Sequence, residues 1–590
     1  GMTNEPARSS RVSRLCLIAL AGLIMGLMVS LAACGITGEG RGRRVTTPTP
    51  PKESGTASRS TPTAIVVTQA TPQPPSRSAG ELGPIPPAPG NAKLGTVRVR
   101  PEKVSGAPYP TQPRMPKEAF DGKVNTPLWK VPTAPFVPGR PTETETKVTR
   151  IGRTGKTAAP PIAPEVVFRA NNGLGLPSGG GNGTANTTAE PSGDVGGGVI
   201  FATANWIAAY STDGGTTFTQ LNPTTVFPAD AVGFCCDQIV QYVPSIDRFI
   251  WLLQGNGYRL ATASPADIIN SNGTAWIYWN LTPNVFGAAT AFDYPDLSVG
   301  DNQLYISWDA IVPGSNNSGF QVVRTSLAGI QAGGTISIQS TTPSDAPNAW
   351  GSHLMQNTGD EIFWAGHNSN SELRVFSLAE NSNTYSWRDI GISSWSNNAP
   401  TSITPDGQDW LAKNFNWPSS GGSFPYNGVI GSTRAGDQLW FAWSAGTDEN
   451  FPRAHVEMVA LDRNNNFNLI QQVQIWNGSY AFAYPSLSTN ACTGEVGLSF
   501  EYGGNGNYEN HVVGFWGDYV AYQTTASDVG VNRFGDYVTI RQTVPTEKDP
   551  GNLFNAFGYG LNTATPPGTG TNVDVHYVLF GRPASSCNRK

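Results

Sequence analysis

The sequence predicts an all-β protein, a β-propeller of seven blades preceded by a disordered N-terminal linker. Three observations carry this reading. The 590 residues include 67 Gly, 47 Pro, 16 Trp, 18 Tyr and 25 Phe but only 6 Met, and 14% are charged. That balance favours strands and turns over helices. From about residue 164 onward, apolar runs recur between clusters of Gly, Asn, Asp, Ser and Pro, as short strands do. Finally, these runs share a repeating shape, the mark of a repeat architecture.

The repeat is clearest at Tyr294-Pro295-Asp296-Leu297-Ser298, followed by a turn and Leu304-Tyr305-Ile306-Ser307-Trp308. It returns as Tyr484-Pro485-Ser486-Leu487-Ser488 with Val496-Gly497-Leu498-Ser499-Phe500, and in weaker form as Glu190-Pro191-Ser192. Blades are expected to start near residues 190, 237, 294, 350, 428, 484 and 534, with a long insertion after the fourth. Residues 166–169 can supply a strand that closes the ring against the last blade. A six-bladed ring is the alternative count. A two-sheet sandwich would hardly use about 420 residues in one unit.

The N-terminus sets the compartment. Arg8, Arg11 and Arg14 precede an apolar run over residues 15–31, and Leu31-Ala32-Ala33-Cys34 follows. This is secretory-signal logic, and the last four residues resemble a bacterial lipobox. The resemblance implies cleavage, a lipid on Cys34 and an extracytoplasmic protein anchored to the cell membrane by that lipid. A retained membrane-spanning anchor is the alternative. Residues 35–145 read as a Pro/Thr-rich disordered linker, because proline fixes φ and removes donors. Within it Phe120, Leu128, Trp129 and Phe136 are apolar enough to lie on the globular part. The propeller is assigned to residues 146–590. The net charge of −5 and the lack of a basic stripe exclude nucleic acid as a partner.

Of the cysteines, Cys235 and Cys236 are neighbours, and Cys492 and Cys587 are distant. Pairing is expected outside the cytoplasm. Cys492–Cys587 is the natural long-range bridge. Cys235 and Cys236 pair with each other, remain free, or pair elsewhere. Their spacing matches no zinc site. No cofactor is expected, a structural calcium ion at most.

Ser211-Thr212-Asp213-Gly214-Gly215-Thr216-Thr217-Phe218 is a tight turn between strand-like runs, with Ser211 and Asp213 able to bond its amides and Phe218 able to plug it. The pattern Ser211, Asp213, Gly215, Phe218 resembles the Asp-box of sialidase-like β-propellers, a folding device rather than a catalytic one. The block Gly233-Phe234-Cys235-Cys236-Asp237-Gln238 is similar to stretches of secreted bacterial propellers of that group and implies no activity.

The candidate site lies at the blade starts. Asp237, Asp293, Asp518 and Asp536 each stand near the start of an inner strand, with Tyr294, Tyr519 and Tyr537 beside them. Inner strands line the central channel, so these side chains are expected to converge on one face. Arg541, Arg248 or a cation would balance them. Such a pocket suits a polyhydroxyl or cationic ligand. The bland reading of each Asp is capping and turn bonding. The sialidase resemblance implies an arginine cluster for a carboxylate and a Tyr nucleophile activated by Glu. Arg169, Arg248, Arg324, Arg541 and Arg582 assemble into no visible triad, and Glu501-Tyr502 and Tyr508-Glu509 are adjacent in sequence only. The catalytic residues stay unassigned. The expected function is a surface-tethered module that binds glycan or a surface protein. A divergent glycoside hydrolase and a structural envelope protein are the alternatives.

Overall fold

The computed structural model describes residues 90–104, 129–130, 166–177, 185, 189–286, 291–311, 319–398, 401–411, 427–490, 493–517, 520–522, 529–531, 534–544, 553–563 and 571–582. The leader, the lipobox with Cys34, and Asp518, Tyr519, Cys492 and Cys587 lie outside the described residues.

Seven antiparallel sheets follow one another along the chain, over residues 192–221, 238–281, 291–340, 361–391, 431–475, 481–522 and 539–581. Within each sheet consecutive strands are neighbours. Polar contacts join successive sheets into a ring. Ser192 Oγ accepts from Val240 N, Ser298 Oγ donates to Met355 O, and Thr433 and Thr489 share a hydrogen bond of 2.8 Å. Thr539 Oγ1 donates to Pro191 O, joining the last blade to the first. The protein is thus a seven-bladed propeller. The inner edge of the fourth blade is irregular: residues 352–356 are held by Met355 N to Phe363 O and by a parallel bridge from Gln356 to Thr433.

Among the described residues the N-terminal part adds five strands: β1 (Gly90–Lys93), β2 (Gly95–Val99), β3 (Glu102–Val104), β4 (Trp129–Lys130) and β5 (Val167–Gly173). β5 pairs antiparallel with Thr571–Gly581 and closes the ring as the seventh blade's fourth strand. β1, β2 and β3 pair with the outer strands of the fourth, third and second blades, and β4 pairs with Val520–Tyr522 of the sixth. The expectation of a structureless linker therefore fails for residues 90–104. This stretch has one proline, Pro101, and alternates Val97, Val99 with polar residues. It satisfies blade edges whose backbone groups would otherwise be unpaired. Val99 is buried in the core as a result.

Trp251, Trp308, Trp364 and Trp443 are fully buried in the second strands of blades two to five. Trp308 stacks on Phe292 at 4.6 Å, and its indole N–H donates to Gln321; Trp251 donates likewise to Gln238. The buried indoles of Trp251 and Trp308 thus keep a partner for their one donor.

The Asp-box joins the third and fourth strands of the first blade, Ile207–Ser211 and Thr219–Leu221. Ser211 Oγ donates to Asp213 Oδ1 and accepts from Gly215 N; Asp213 accepts from Thr217 N at 2.9 Å and Thr217 Oγ1 at 2.6 Å. Partial burial would raise the Asp213 pKa, but these bonds outweigh it and hold the carboxyl below its usual range. Gly215 sits at φ +87° with Asn172 of β5 donating to its carbonyl, and a Cβ there would press on Tyr577. The box therefore braces the closure of the ring.

Candidate functional site

All inner strands begin at one end of the channel, here termed the mouth. The start of the inner strand takes an unusual form in three blades. Glu190, Tyr294 and Tyr484 have φ of +43°, +58° and +60°, and each precedes a proline. A residue before proline is normally extended, and the left-handed region costs a non-glycine residue about 1–3 kcal/mol. At Tyr294 and Tyr484 the register also shifts, between Asp293 and Asp296 and between Ala483 and Ser486. A bulge of this kind re-aims the side chain.

The result is an aromatic layer across the mouth. Tyr294 lies 5.0 Å from His353 and 5.7 Å from Tyr537, and His353 lies 5.2 Å from Tyr537. Tyr294 Oη donates to Asp536 O at 3.3 Å. Asp237 and Asp293 are half-buried beside this layer. Gln254 ties them together: its Nε2 donates to Asp293 Oδ1 at 2.9 Å and its backbone N–H to Asp237 O at 3.0 Å. Cys235 N donates to Gln254 O. Cys235 and Cys236 form a disulfide with each other, immediately before Asp237 and with their Cα atoms 3.8 Å apart.

The electrostatics follow from this arrangement. Burial pushes the Tyr258 hydroxyl well up, reinforced by Asp293 and Asp237. Burial raises Tyr537 likewise, with Asp237 and Glu190 adding to it. Both tyrosines stay protonated. Their hydroxyl oxygens are buried and have no hydrogen-bond partner among the described residues. Burial lowers His353, so its ring is neutral near pH 7. The mouth therefore offers two buried hydroxyl donors next to two accessible carboxylate acceptors.

Of the residues expected at the site, Asp237, Asp293, Tyr294, Asp536 and Tyr537 come together. Asp536 and Tyr537 are buried rather than open to solvent. Arg541 lies deeper. Its Nη2 is 4.0 Å from Asp296 Oδ1, its Nη1 donates to Ile540 O, and it lines a cavity of about 10 Å³ with His353 and Ser432, room for one water. Its charge acts on Asp296 and Asp194, not on the mouth acids as expected. Arg248 is in the hairpin at the far end of the second blade, bonded to Asp247 O. Glu190, Tyr258, His353 and Tyr484 also belong to the mouth. For Glu190 and Tyr484 the signal was present in the X-Pro blade starts; Tyr258, on a second hairpin strand, carried none. Among the described residues no group of three His, Cys, Asp or Glu side chains gathers as metal ligands.

The arginine cluster implied by the sialidase resemblance does not form among the described residues. Arg169 is exposed on β5, Arg324 bonds Ala379 O and Ser382 O, and Arg582 pairs with Glu495. The adjacent Tyr/Glu pairs do not assemble either: Tyr502 packs on Tyr480, while Glu501 is buried near Tyr559. Glu501 and Glu509 lie on neighbouring strands of the sixth blade, both nearly fully buried. Burial raises Glu501 well above its usual range, with Glu509 adding to it, and burial pushes Glu509 up to about 8. Trp410, from the insertion after the fourth blade, is buried against Tyr484 at 6.1 Å and Phe534 at 5.8 Å.

No protein-family model matches the chain, and no curated protein matches it. Solved structures resemble it in architecture. A protein of unknown function from Dyadobacter fermentans DSM 18053 is 10% identical over 71% of this chain and 99% of its own, with a TM-score of 0.35. The alpha-L-arabinanase of Penicillium chrysogenum is 11% identical over 70% of this chain and 98% of its own, with a TM-score of 0.33. The Trypanosoma rangeli sialidase is 13% identical over 61% of this chain and 58% of its own, with a TM-score of 0.31. At such identities and scores the likeness carries no argument about activity.

Proposed function

We propose that the protein is an extracytoplasmic binding propeller, held at the membrane by a lipid on Cys34, that takes a neutral polyhydroxylated ligand at the channel mouth. One observation carries the reading. The hydroxyls of Tyr258 and Tyr537 are buried without a hydrogen-bond partner among the described residues and lie within electrostatic reach of half-buried carboxylates, Tyr258 of Asp237 and Asp293 and Tyr537 of Asp237. A sugar hydroxyl both donates and accepts, so it satisfies both kinds of group at once. The mouth carboxylates and the dispersed arginines disfavour an anionic ligand such as sialic acid. Screening the full chain on a glycan array, and titrating Asp237→Asn and Asp293→Asn with the best neutral glycan, tests this. Each variant is expected to lose at least about tenfold in affinity. An array without neutral hits, or unchanged affinity in both variants, refutes it.

A divergent glycoside hydrolase is the second reading, favoured by Glu509 and Glu501. A glutamate raised to about 8 is protonated at neutral pH, as a general acid must be. Both are covered in this structure, which ranks the reading second. A fluorogenic glycoside panel decides it: turnover abolished by Glu509→Gln would establish hydrolysis. For the anchor, Cys34→Ala should block processing and membrane retention. A variant processed and retained like the parent excludes the lipid.

A further inference from the structure

The second opening on the mouth face is separate from the channel. The hairpin between Glu361–Ser369 and Glu372–Ala379, the segment after Thr384–Gly391 and the segment after Gln438–Ala445 all lie at the end where inner strands begin. Between blades four and five they enclose a groove of about 300 Å³, at the lower limit of ligand-binding pockets. Asn370, Ser394, Ser396, Asn397 and Asn398 line it, Trp395 closes its floor, and Asp448 stands at its side.

The groove is held in shape from below. The Trp395 ring packs 4.8 Å from His367 and 5.7 Å from Trp443, and is nearly fully buried. Gly446 N donates to Ser396 O at 2.6 Å, and a Cβ on Gly446 would collide with the Asn398 carbonyl oxygen. Asp448 Oδ1 caps Asn450 N and Phe451 N at 2.7 and 2.8 Å, which fixes the opposite wall. Ser394, Asn370 and Asn398 remain exposed.

We infer that this groove is a second saccharide subsite, one that takes a neutral sugar independently of the channel mouth. Its lining is amide and hydroxyl, groups that donate and accept in the same side chain. It holds no cation, and its one charge is the Asp448 carboxylate, so an anionic ligand meets repulsion. It lacks the wide apolar surface that an apolar ligand or a peptide anchor needs. A chain of hydroxyls on a compact ring matches this lining.

The test uses the full chain with cellopentaose, mannopentaose, galactopentaose and arabinopentaose as probes, followed by calorimetry and by Trp fluorescence. Ser394→Trp fills the groove from an exposed position and is expected to leave the melting temperature unchanged. If the inference holds, at least one probe binds, Ser394→Trp weakens it by more than about tenfold, and Asp293→Asn leaves a groove-bound fraction intact. Asn370→Ala, at the exposed hairpin tip, should weaken the same probe in part. Binding that Ser394→Trp leaves unchanged overturns the groove while leaving the mouth reading standing. Failure of all four probes to bind overturns it as well. Loss in Ser394→Trp with no effect of Asp293→Asn or Asp237→Asn supports the groove and counts against the mouth.

Discussion

The side-chain amide of Gln254 donates to Asp293 Oδ1 at 2.9 Å across the boundary between the second and third blades. The same residue holds Asp237 through its backbone, so one glutamine sets the spacing of both accessible carboxylates. Gln254→Leu keeps the size and removes the donor. It should cost about 1–3 kcal/mol of stability, from leaving polar groups unpaired, and should weaken glycan binding by about tenfold or more. Urea unfolding and calorimetry on the same preparation check this; unchanged affinity would show that Asp293 needs no such tether.

Asp194 gives a pH signature. Burial pushes its carboxyl up to about 6, against the lowering pull of Tyr242 N, Val195 N and Arg541. The folded state therefore holds the proton more tightly than the unfolded chain, whose value is 3.8. Stability from this group is fully present below about pH 4 and is lost as pH rises through about 6, by roughly 3 kcal/mol in all. Asp194→Asn should abolish that slope. Denaturant melts between pH 4 and 7.5 on parent and variant measure it, and parallel curves would sink the assignment.

The Asp-box should matter for stability alone. Asp213→Ala removes the acceptor for Thr217 N, Thr217 Oγ1 and Ser211 Oγ, at a cost of about 1–2 kcal/mol given the partial exposure of the loop. Saccharide affinity should stay within twofold of the parent, because distant sites with no shared partners act independently. A variant with a normal melting temperature and lost binding would place the box in the ligand site.

The N-terminal strands predict a proteolysis pattern. The resistant fragment of the full chain should begin before Gly90, because β1, β2 and β3 are paired into three blades. Deleting residues 90–104 should lower the melting temperature by several degrees, as loss of three edge pairings implies. A resistant fragment starting near residue 164 would show that these pairings do not persist in solution.

Three blade starts, at Glu190, Tyr294 and Tyr484, were the most legible because each combines an aromatic or acidic residue, a proline and an apolar strand. Tyr294-Pro295 and Tyr484-Pro485 mark bulged inner strands, and residues 166–169 proved to lie at the start of the closing strand. The pairing of β1 to β3 was not legible. Proline density elsewhere in residues 35–145 dominated the composition, and a five-residue run such as Gly95–Val99 carries little signal without its partner strand. The mouth was half-legible. Acids at strand starts were visible, whereas Tyr258 reaches it from a second hairpin, and Arg541 lies along an inner strand one layer further in. Only the stacking of blades decides such depth.

The closing strand has a consequence for biosynthesis. Asn171 of β5 meets His576 across 405 positions of sequence, and β1 waits for Thr384–Gly391 in the same way. A chain that leaves the ribosome or translocon N-terminus first must hold β1 unpaired until the fourth blade emerges and β5 until the last. Loop-closure entropy makes such pairing slow. The ring thus acts as a completeness check: a product truncated before residue 571 would expose the outer strand of its last blade and lack the latch, leaving it open to chaperones and proteases.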